Sequence, residues 1–556
     1  MVNWKRLWIW ASPLVVLAVA CGGAAAPTAT AASQPASTAT VVQPTAAPGQ
    51  PTATRPLAQP TAAATPVAST KPEGSITLAV SVLPSSVDHG LVCCGGNEYV
   101  FNYAHYDRLL KRDFKGKLVN SLATDWSVTP DGLHYTFKIR QGVKFHNGED
   151  LTAEDVQHAE MRHFQPNSRS NNPPRTKVDT VDVVDPYTVR FNLKAPVFIF
   201  PNYLDYLLGI TPKDYITKVG DDEFGRRAIG SGPFKLKEFK IAQEISLEAN
   251  EGYWGKVPEF KDLRILVVPE AGTRVAMLKT GQADMVTELP PFLIEGVEKT
   301  AGLGVISTPT SEVQVIFFNY MPQYAGTDHP TLKKDVRWAL NLAIDREAMV
   351  KAFLRGRGRP AATETADFIN GAVTGLKYPY DPAEAKKRLA AAGFPNGVDL
   401  GTWFYTTGTA TMDEASVALS QYWSVVGIKV QWQRVDAGST TALVNNKTIP
   451  PREINDSITT YDAESDLALF WNSTAVFSAF YNGKHDALIN AASAEMNPAV
   501  RTQKLQKVVQ TIYDEADSIP VYFLDKVYGI NTKKISGWEF VEGFAFPRNL
   551  EYLHRR

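Results

Sequence analysis

Gly142-Val143-Lys144-Phe145-His146-Asn147-Gly148-Glu149-Asp150-Leu151-Thr152-Ala153-Glu154-Asp155-Val156 carries three local instructions in one short stretch. Val143-Lys144-Phe145 ends a strand, Asn147-Gly148 supplies a tight turn, and Thr152 caps a helix that has Asp155 at its third position. The stretch contains no evident ligand group, so it reads as scaffold. Outward from it, Leu133-His134-Tyr135-Thr136-Phe137-Lys138-Ile139-Arg140 and Tyr187-Thr188-Val189-Arg190-Phe191-Asn192-Leu193 alternate strictly between polar and apolar. That pattern predicts half-buried antiparallel strands. Ser75-Ile76-Thr77-Leu78-Ala79-Val80 alternates similarly and opens the folded part. Val336, Ala339, Leu340, Ala343 and Ile344 form one helical stripe. Asp381-Pro382 starts a helix that runs to Gly393, and another helix ends near Gly427 before the strand Ile428-Lys429-Val430-Gln431-Trp432. The texture is mixed α/β with no short internal period, which excludes a solenoid or propeller.

A chain of 556 residues exceeds one ordinary domain. Fifty-seven Lys+Arg balance 58 Asp+Glu, so no basic excess marks a nucleic-acid partner. Three cysteines are too few for a disulfide-built scaffold. At the N-terminus Lys5 and Arg6 precede the mostly apolar residues 7–20, which end in Ala18-Val19-Ala20-Cys21. The run is a signal-peptide core and falls short of the ~20 residues a membrane-spanning helix needs. Its end resembles a bacterial lipobox, with Ala18 where Leu is usual. The resemblance implies a lipid on Cys21; cleavage at an ordinary Ala-x-Ala site would instead leave that cysteine free. Residues 22–70 are nearly all Ala, Thr, Pro, Ser and Gln, with Arg55 their only charge. Such a segment cannot bury enough apolar surface to order itself, and it reads as a stalk with a reach of roughly 40 Å.

The opening stretch resembles the signature of the extracellular solute-binding proteins of family 5, the dipeptide- and oligopeptide-binding proteins of ABC importers. Further similar segments follow in order: Leu122-Ala123-Thr124-Asp125-Trp126, Ile229-Gly230-Ser231-Gly232-Pro233-Phe234, Ala249-Asn250-Glu251-Gly252-Tyr253-Trp254, Val336 to Arg346, and Tyr380 to Phe394. The resemblance implies an α/β two-lobed clamshell, a periplasmic-binding-protein fold of type II in its large variety. Lobe I would be 71–97, 228–308 and 518–556, with an extra domain at 98–227, and lobe II 309–517. Crossings are expected near Phe317-Phe318-Asn319 and Ile519-Pro520-Val521. The implied protein is a monomer outside the cytoplasm, lipid-anchored, that hands a di- or oligopeptide to ABC permease subunits. A nickel chelate, haem, an oligosaccharide or a cationic metabolite is the alternative cargo. No cofactor is called for.

In the resembling family an Asp in a W-x-x-D-Y-x-D-P-like segment holds the peptide's α-ammonium group. The nearest match is residues 460–467, where Asp462, Glu464 and Asp466 are the candidate anchors. Tyr461, Trp403, Tyr405, Trp471 and Tyr106 are candidate aromatic walls, each with core packing as its alternative. Ser231 and Asn319 lie in segments similar to those near the family's hinge and cleft. Cys93-Cys94 admits a strained vicinal disulfide, two thiols or a soft metal. His158 and His163 are five apart, which spreads them around a helix; the expectation is a solvated face with no metal. No G-x-S-x-G, H-E-x-x-H or phosphate loop is present, so no enzyme is expected, the remote alternative being a secreted lipoprotein hydrolase.

Overall fold

The computed structural model describes residues 71–90, 98–163, 177–406, 412–436, 439–475, 477–478, 483–544 and 546–556. Cys21, the leader, the stalk and Cys93-Cys94 lie outside the described residues. Among the described residues, no helix is long and apolar enough to cross a membrane.

Two long strands organise the molecule. Leu303–Phe317 and Ser518–Asn531 run antiparallel along their whole length. Their ladder is interrupted between Pro309 and Val313, opposite Asp525 and Phe523. On one side of this interruption the sheet continues through Met285–Val286, Ser75–Val80, Asp262–Val267 and Glu244–Ala249 to Phe234–Lys240. On the other it continues through Arg452–Ser457 and Val398–Thr406 to Ile428–Val435, with Gly358–Pro360 also paired to the second long strand. Two half-sheets therefore share only two strands. The break lies short of 317–319 and 519–521. Those residues sit inside the second half, where Phe317 pairs with Arg452 and Ile519 with Ile316.

A separate four-stranded antiparallel sheet, in the order Ala123–Val128, His134–Ile139, Thr188–Leu193, Val178–Asp185, rises beside the first half. Tyr135, Phe137 and Phe191 point from it into a core shared with Phe200 and Leu204. The opening stretch borders this sheet, and where it predicts a strand end Lys144 makes only an isolated bridge to Asp150. Gly148 adopts φ +93° and its N–H donates to the Phe145 carbonyl at 2.9 Å, a turn that only glycine enters without strain. The N–H and hydroxyl of Thr152 both donate to the Asp155 carboxylate, at 2.9 and 3.1 Å, and the helix Ala153–Arg162 follows.

Most helix ends fall where the caps put them. Asp381 accepts from the Glu384 N–H at 2.9 Å and Gly393 takes φ +95° beyond Pro382–Ala391. The 336–344 stripe is buried, but the helix carries only Val336, Ala339 and Leu340, and Ala343 and Ile344 lie in the turn that follows it. Lys334–Leu342 stops because Asp345 caps Arg346–Phe353, accepting from the Ala348 N–H at 2.9 Å. The histidine face of Ala153–Arg162 is not solvated: His163 is 1% exposed and His158 half-buried. Arg162 turns inward there to form a two-pronged ion pair with buried Asp88 and a second contact with Asp221 at 2.7 Å, closing over that face.

Buried carboxyls in the second half make stability depend on pH. Glu453 is fully buried beneath the helix Met412–Val425, accepting from the Gln314 amide and, at 2.7 Å, from the Ser416 hydroxyl. Burial pushes its carboxyl up to about 7. A raised folded-state value favours the protonated form, so this contribution is full below the unfolded carboxyl's range and is lost as pH rises through about 7. Glu453→Gln should remove it. Between pH 5 and 8 the wild type will lose on the order of 2 kcal/mol more than the variant, or about 3 °C in Tm, by thermal denaturation. Parallel curves for the two proteins would refute this.

Candidate ligand site

The site builds outward from residues 460–466, a loop of the second half that meets the four-stranded domain and the C-terminal segment. Tyr461 holds φ +59°, a left-handed conformation rare for a bulky aromatic. That twist turns the Thr460 carbonyl toward the other side of the junction. There it accepts from Arg112 Nη2 at 2.7 Å and Asn202 Nδ2 at 2.8 Å. The Tyr461 hydroxyl donates to the Glu542 carbonyl, and the Arg112 guanidinium lies over its ring at 4.5 Å.

Asp462 and Glu464 turn back into their own half. Arg501, fully buried, donates to both oxygens of Asp462 at 2.7 Å and also to Glu464. Asp462 takes a further bond from Asn370 Nδ2 at 2.8 Å. Both carboxylates are engaged by Arg501, one cation shared between two acids, so they shape the loop. Asp466, one turn on, differs. It is 5% exposed, and its Oδ1 has no hydrogen-bond partner among the described residues. Its neighbours are the carboxyls of Asp456 and Glu364. Burial, and then the charge of Asp456, hold the Asp466 carboxyl well above its usual range, while the Trp471 indole works the other way. Glu364 is pushed up to about 7 by burial despite the donating hydroxyl of Ser518. No described cation comes within ion-pair distance of this trio; Arg452, further along the strand that carries Asp456, acts on it only from beyond that distance.

Facing this loop is an aromatic wall. Tyr99 stacks on Tyr206 and Phe546 with centroids 5.2 and 5.1 Å apart, and Tyr103 meets Phe544 edge-on at 5.8 Å. Arg108, Arg112 and Arg548 are set into it around Asp205.

The structure thus gathers Tyr461, Asp462, Glu464, Asp466 and Trp471, and places the other candidates elsewhere. Trp403 packs against Trp423, Trp432 and Phe318 in the core of the second half. Tyr405 lies beside Trp432 and Asp413 on that outer strand pair. Asn319 spends its amide on the Ile449 and Lys447 carbonyls, at 2.6 and 3.1 Å, and accepts from the Met321 N–H at 2.8 Å; it is a turn clamp. Tyr106 is core, donating to the Val87 carbonyl at 2.7 Å. Ser231 lies in a turn wedged under the helix Glu98–His105, where a Cβ on Gly230 would come 2.0 Å from the His105 carbonyl oxygen. Next to it, Asp107 is held by Tyr253 at 2.7 Å and Trp254 at 2.9 Å. The Gly230–Pro233 and Asn250–Trp254 motifs therefore converge on one helix end as scaffold. Sequence reading missed Glu364, Asp456, Arg501 and the arginine–aromatic wall. Arg548, directly after the apolar run Phe544-Ala545-Phe546-Pro547 near the C-terminus, was the one visible signal.

A groove of about 1230 Å³ opens elsewhere, over the first half-sheet beside its edge strand Phe234–Lys240. It is walled by Arg227, Glu238, Asp262 and Arg264, solvated side chains far from the strand junction, and it is not the candidate site.

Comparison with known proteins agrees with this architecture. The profile described as "Bacterial extracellular solute-binding proteins, family 5 Middle" matches residues 117–478, more than half of the chain. The glutathione-binding protein GsiB of Salmonella typhi is 29% identical over 457 residues, covering 79% of this chain and 88% of that protein. The periplasmic binding protein DppA of Helicobacter pylori, solved with the peptide STSA, superposes with a TM-score of 0.73 at 23% identity over 87% of this chain and 98% of that one. NikA of Brucella suis, solved with Fe(III)-EDTA, does so at 0.76 and 22% over 87% and 100%. The fold is the type II periplasmic-binding-protein clamshell, and its members are binding proteins, not enzymes. The chain belongs to family 5 of the bacterial extracellular solute-binding proteins and is the extracytoplasmic substrate-binding component of an ABC importer.

Proposed function

We propose that the chain captures a di- or oligopeptide between its two halves, with Asp466 anchoring the peptide's α-ammonium group. The observation that carries this reading is the trio Asp466, Glu364 and Asp456, two buried carboxyls and one half-buried, brought together without a described cation in ion-pair distance. Concentrated, desolvated negative charge is unfavourable alone and is stabilised by a bound cationic group. Relatives described as binding glutathione or crystallised with a peptide support the same class of ligand. In this reading lobe I is 71–97, 228–308 and the chain from the ladder break to 556, carrying the extra domain 98–227, and lobe II is 309–517 with residues 518–523 added to it. The lobes flex where the ladder breaks, at 309–313 and 523–525. Ligand favours the closed form because only that form touches it from both sides. Cys21 carries the lipid, residues 22–70 are the tether, and a monomer suffices.

Native mass spectrometry of the purified full chain, followed by denaturing release, tests the cargo. A mixture of short peptides is expected. A single sugar, haem or metal chelate would overturn the peptide reading and leave the importer role standing.

A further inference from the structure

We infer that Tyr461 is a positioning residue that ties the 460–466 loop to lobe closure, through a side chain held by the opposite half and a backbone that relaxes when that hold is lost. The inference rests on the reading above only in taking 460–466 as the ligand loop and the ladder break as the hinge; the coupling is the same whichever solute binds. At φ +59° the Tyr461 backbone occupies a region that a bulky residue keeps only where its surroundings impose it. Its own half supplies a backbone bond, from the Asn370 N–H to the Tyr461 carbonyl at 3.1 Å, and a tilted ring contact with Phe368. The opposite half grips the side chain. The hydroxyl donates to the Glu542 carbonyl, and the Arg112 guanidinium covers the ring at 4.5 Å. The ring also lies so close to Gly116, in the hairpin turn between Leu110–Arg112 and Leu118–Asn120, that a Cβ there would come 2.4 Å from it. Arg112 Nη1 closes the same turn on the Gly116 carbonyl at 2.9 Å, and Arg548 bears on the Tyr461 hydroxyl from that half as well.

The acceptor that Tyr461 uses is itself fixed to the hinge. The Glu542 N–H donates to the Phe114 carbonyl at 3.0 Å, and Gly543 is stitched to the ladder interruption. The Gly543 N–H donates to the Pro309 carbonyl at 3.2 Å, and its carbonyl accepts from the Ser311 N–H at 3.4 Å. Only glycine suits this position, because φ is +82° and a Cβ would come 2.5 Å from the Phe368 ring. The loop has a second anchor at the same interruption, where the Ser311 hydroxyl donates to the Ile458 carbonyl at 2.9 Å. The 460–466 loop is therefore held at Ile458 from its own half and at Tyr461 from the other. Three residues of chain span at most ~11 Å, so the loop has little slack when the lobes rotate about the interruption, and one hold must give. Release of Tyr461 is the favoured one, because it relieves the left-handed backbone at the same time. The carboxyls of Asp462, Glu464 and Asp466 then leave the arrangement that closure gives them. Affinity and closure become one equilibrium.

Hydrogen exchange of the dialysed full chain tests this without a ligand. Tyr461→Phe keeps the ring and removes the hydroxyl's hydrogen bond, a change expected to raise the opening equilibrium about fivefold. Amides in 458–467, 112–118 and 541–544 should therefore all exchange about fivefold faster, while those of 134–139 keep their wild-type rates. Lys115→Ala breaks only an exposed ion pair with Glu542 and should change none of them. Glutathione or Ala-Ala-Ala, whichever the wild type binds, should bind Tyr461→Phe about fivefold more weakly by titration calorimetry. Faster exchange confined to 458–467 would make Tyr461 a local packing residue and overturn the inference, as would unchanged exchange in all three segments. Wild-type protein that binds neither probe would count against the peptide reading, and the exchange rates would still decide the coupling.

Discussion

Arg501→Met will destabilise the protein by about 4 kcal/mol, lowering Tm by about 6 °C at neutral pH. Arg501 is fully buried and supplies the one cation that both Asp462 and Glu464 contact. Its guanidinium also lies 4.6 Å over Phe198, which reaches in from the four-stranded domain. Methionine keeps most of the volume and removes the charge. Two carboxylates then face each other in an apolar layer that includes Leu505, Ile369 and Val508. Desolvation and mutual repulsion act in the same direction, and both are strongest where water is excluded. Neutralising the pair should therefore rescue the loss. The triple change Arg501→Met, Asp462→Asn, Glu464→Gln is expected to recover most of the lost stability, because a buried ionic cluster is seldom better than a neutral one of equal shape. Thermal denaturation of the single and triple variants decides the matter. A single variant within about 1 kcal/mol of wild type, or a triple no more stable than the single, would show that the cluster does not hold the 460–466 loop.

What the sequence made legible here was local. The Asn147-Gly148 turn, the Thr152 and Asp381 caps and the alternating strands at 134–139 and 188–193 are set by contacts between near neighbours, and each lies where expected. The site is non-local, and only its loop was visible. Asp462, Glu464 and Asp466 look equivalent in sequence, yet Arg501, distant along the chain, pairs with the first two and not the third. Trp403 and Tyr405 failed as cleft residues for a related reason. Strand alternation says which residues share a face but not which face closes on the helices and which meets the other lobe. The arginine wall escaped notice because Arg108 and Arg112 lie on one segment and Arg548 hundreds of residues away, and only Asp205 and the aromatic rings bring them together.

Asp466→Asn will weaken peptide binding on the order of 100-fold while making the empty protein more heat-resistant. The two effects have one cause. Burial and the neighbouring Asp456 hold the Asp466 carboxyl well above its ordinary range, so its ionised form opposes folding at neutral pH. Because the folded-state value is raised, stability is full at low pH and lost as pH climbs through it, and asparagine removes that loss. An α-ammonium group reverses the balance by pairing with the ionised form. Peptide binding must then expel a proton wherever the free carboxyl still holds one, and affinity must fall as pH drops. Titration calorimetry across the acid to neutral range in buffers of different ionisation enthalpy should register proton release on peptide binding in the wild type and far less in the variant. Glu364, already pushed up to about 7, adds to the wild-type release if it shares the ammonium. Peptide affinity within threefold of wild type, or a lower Tm for the empty variant, would mean that Asp466 is a packing residue and that the ammonium lies elsewhere.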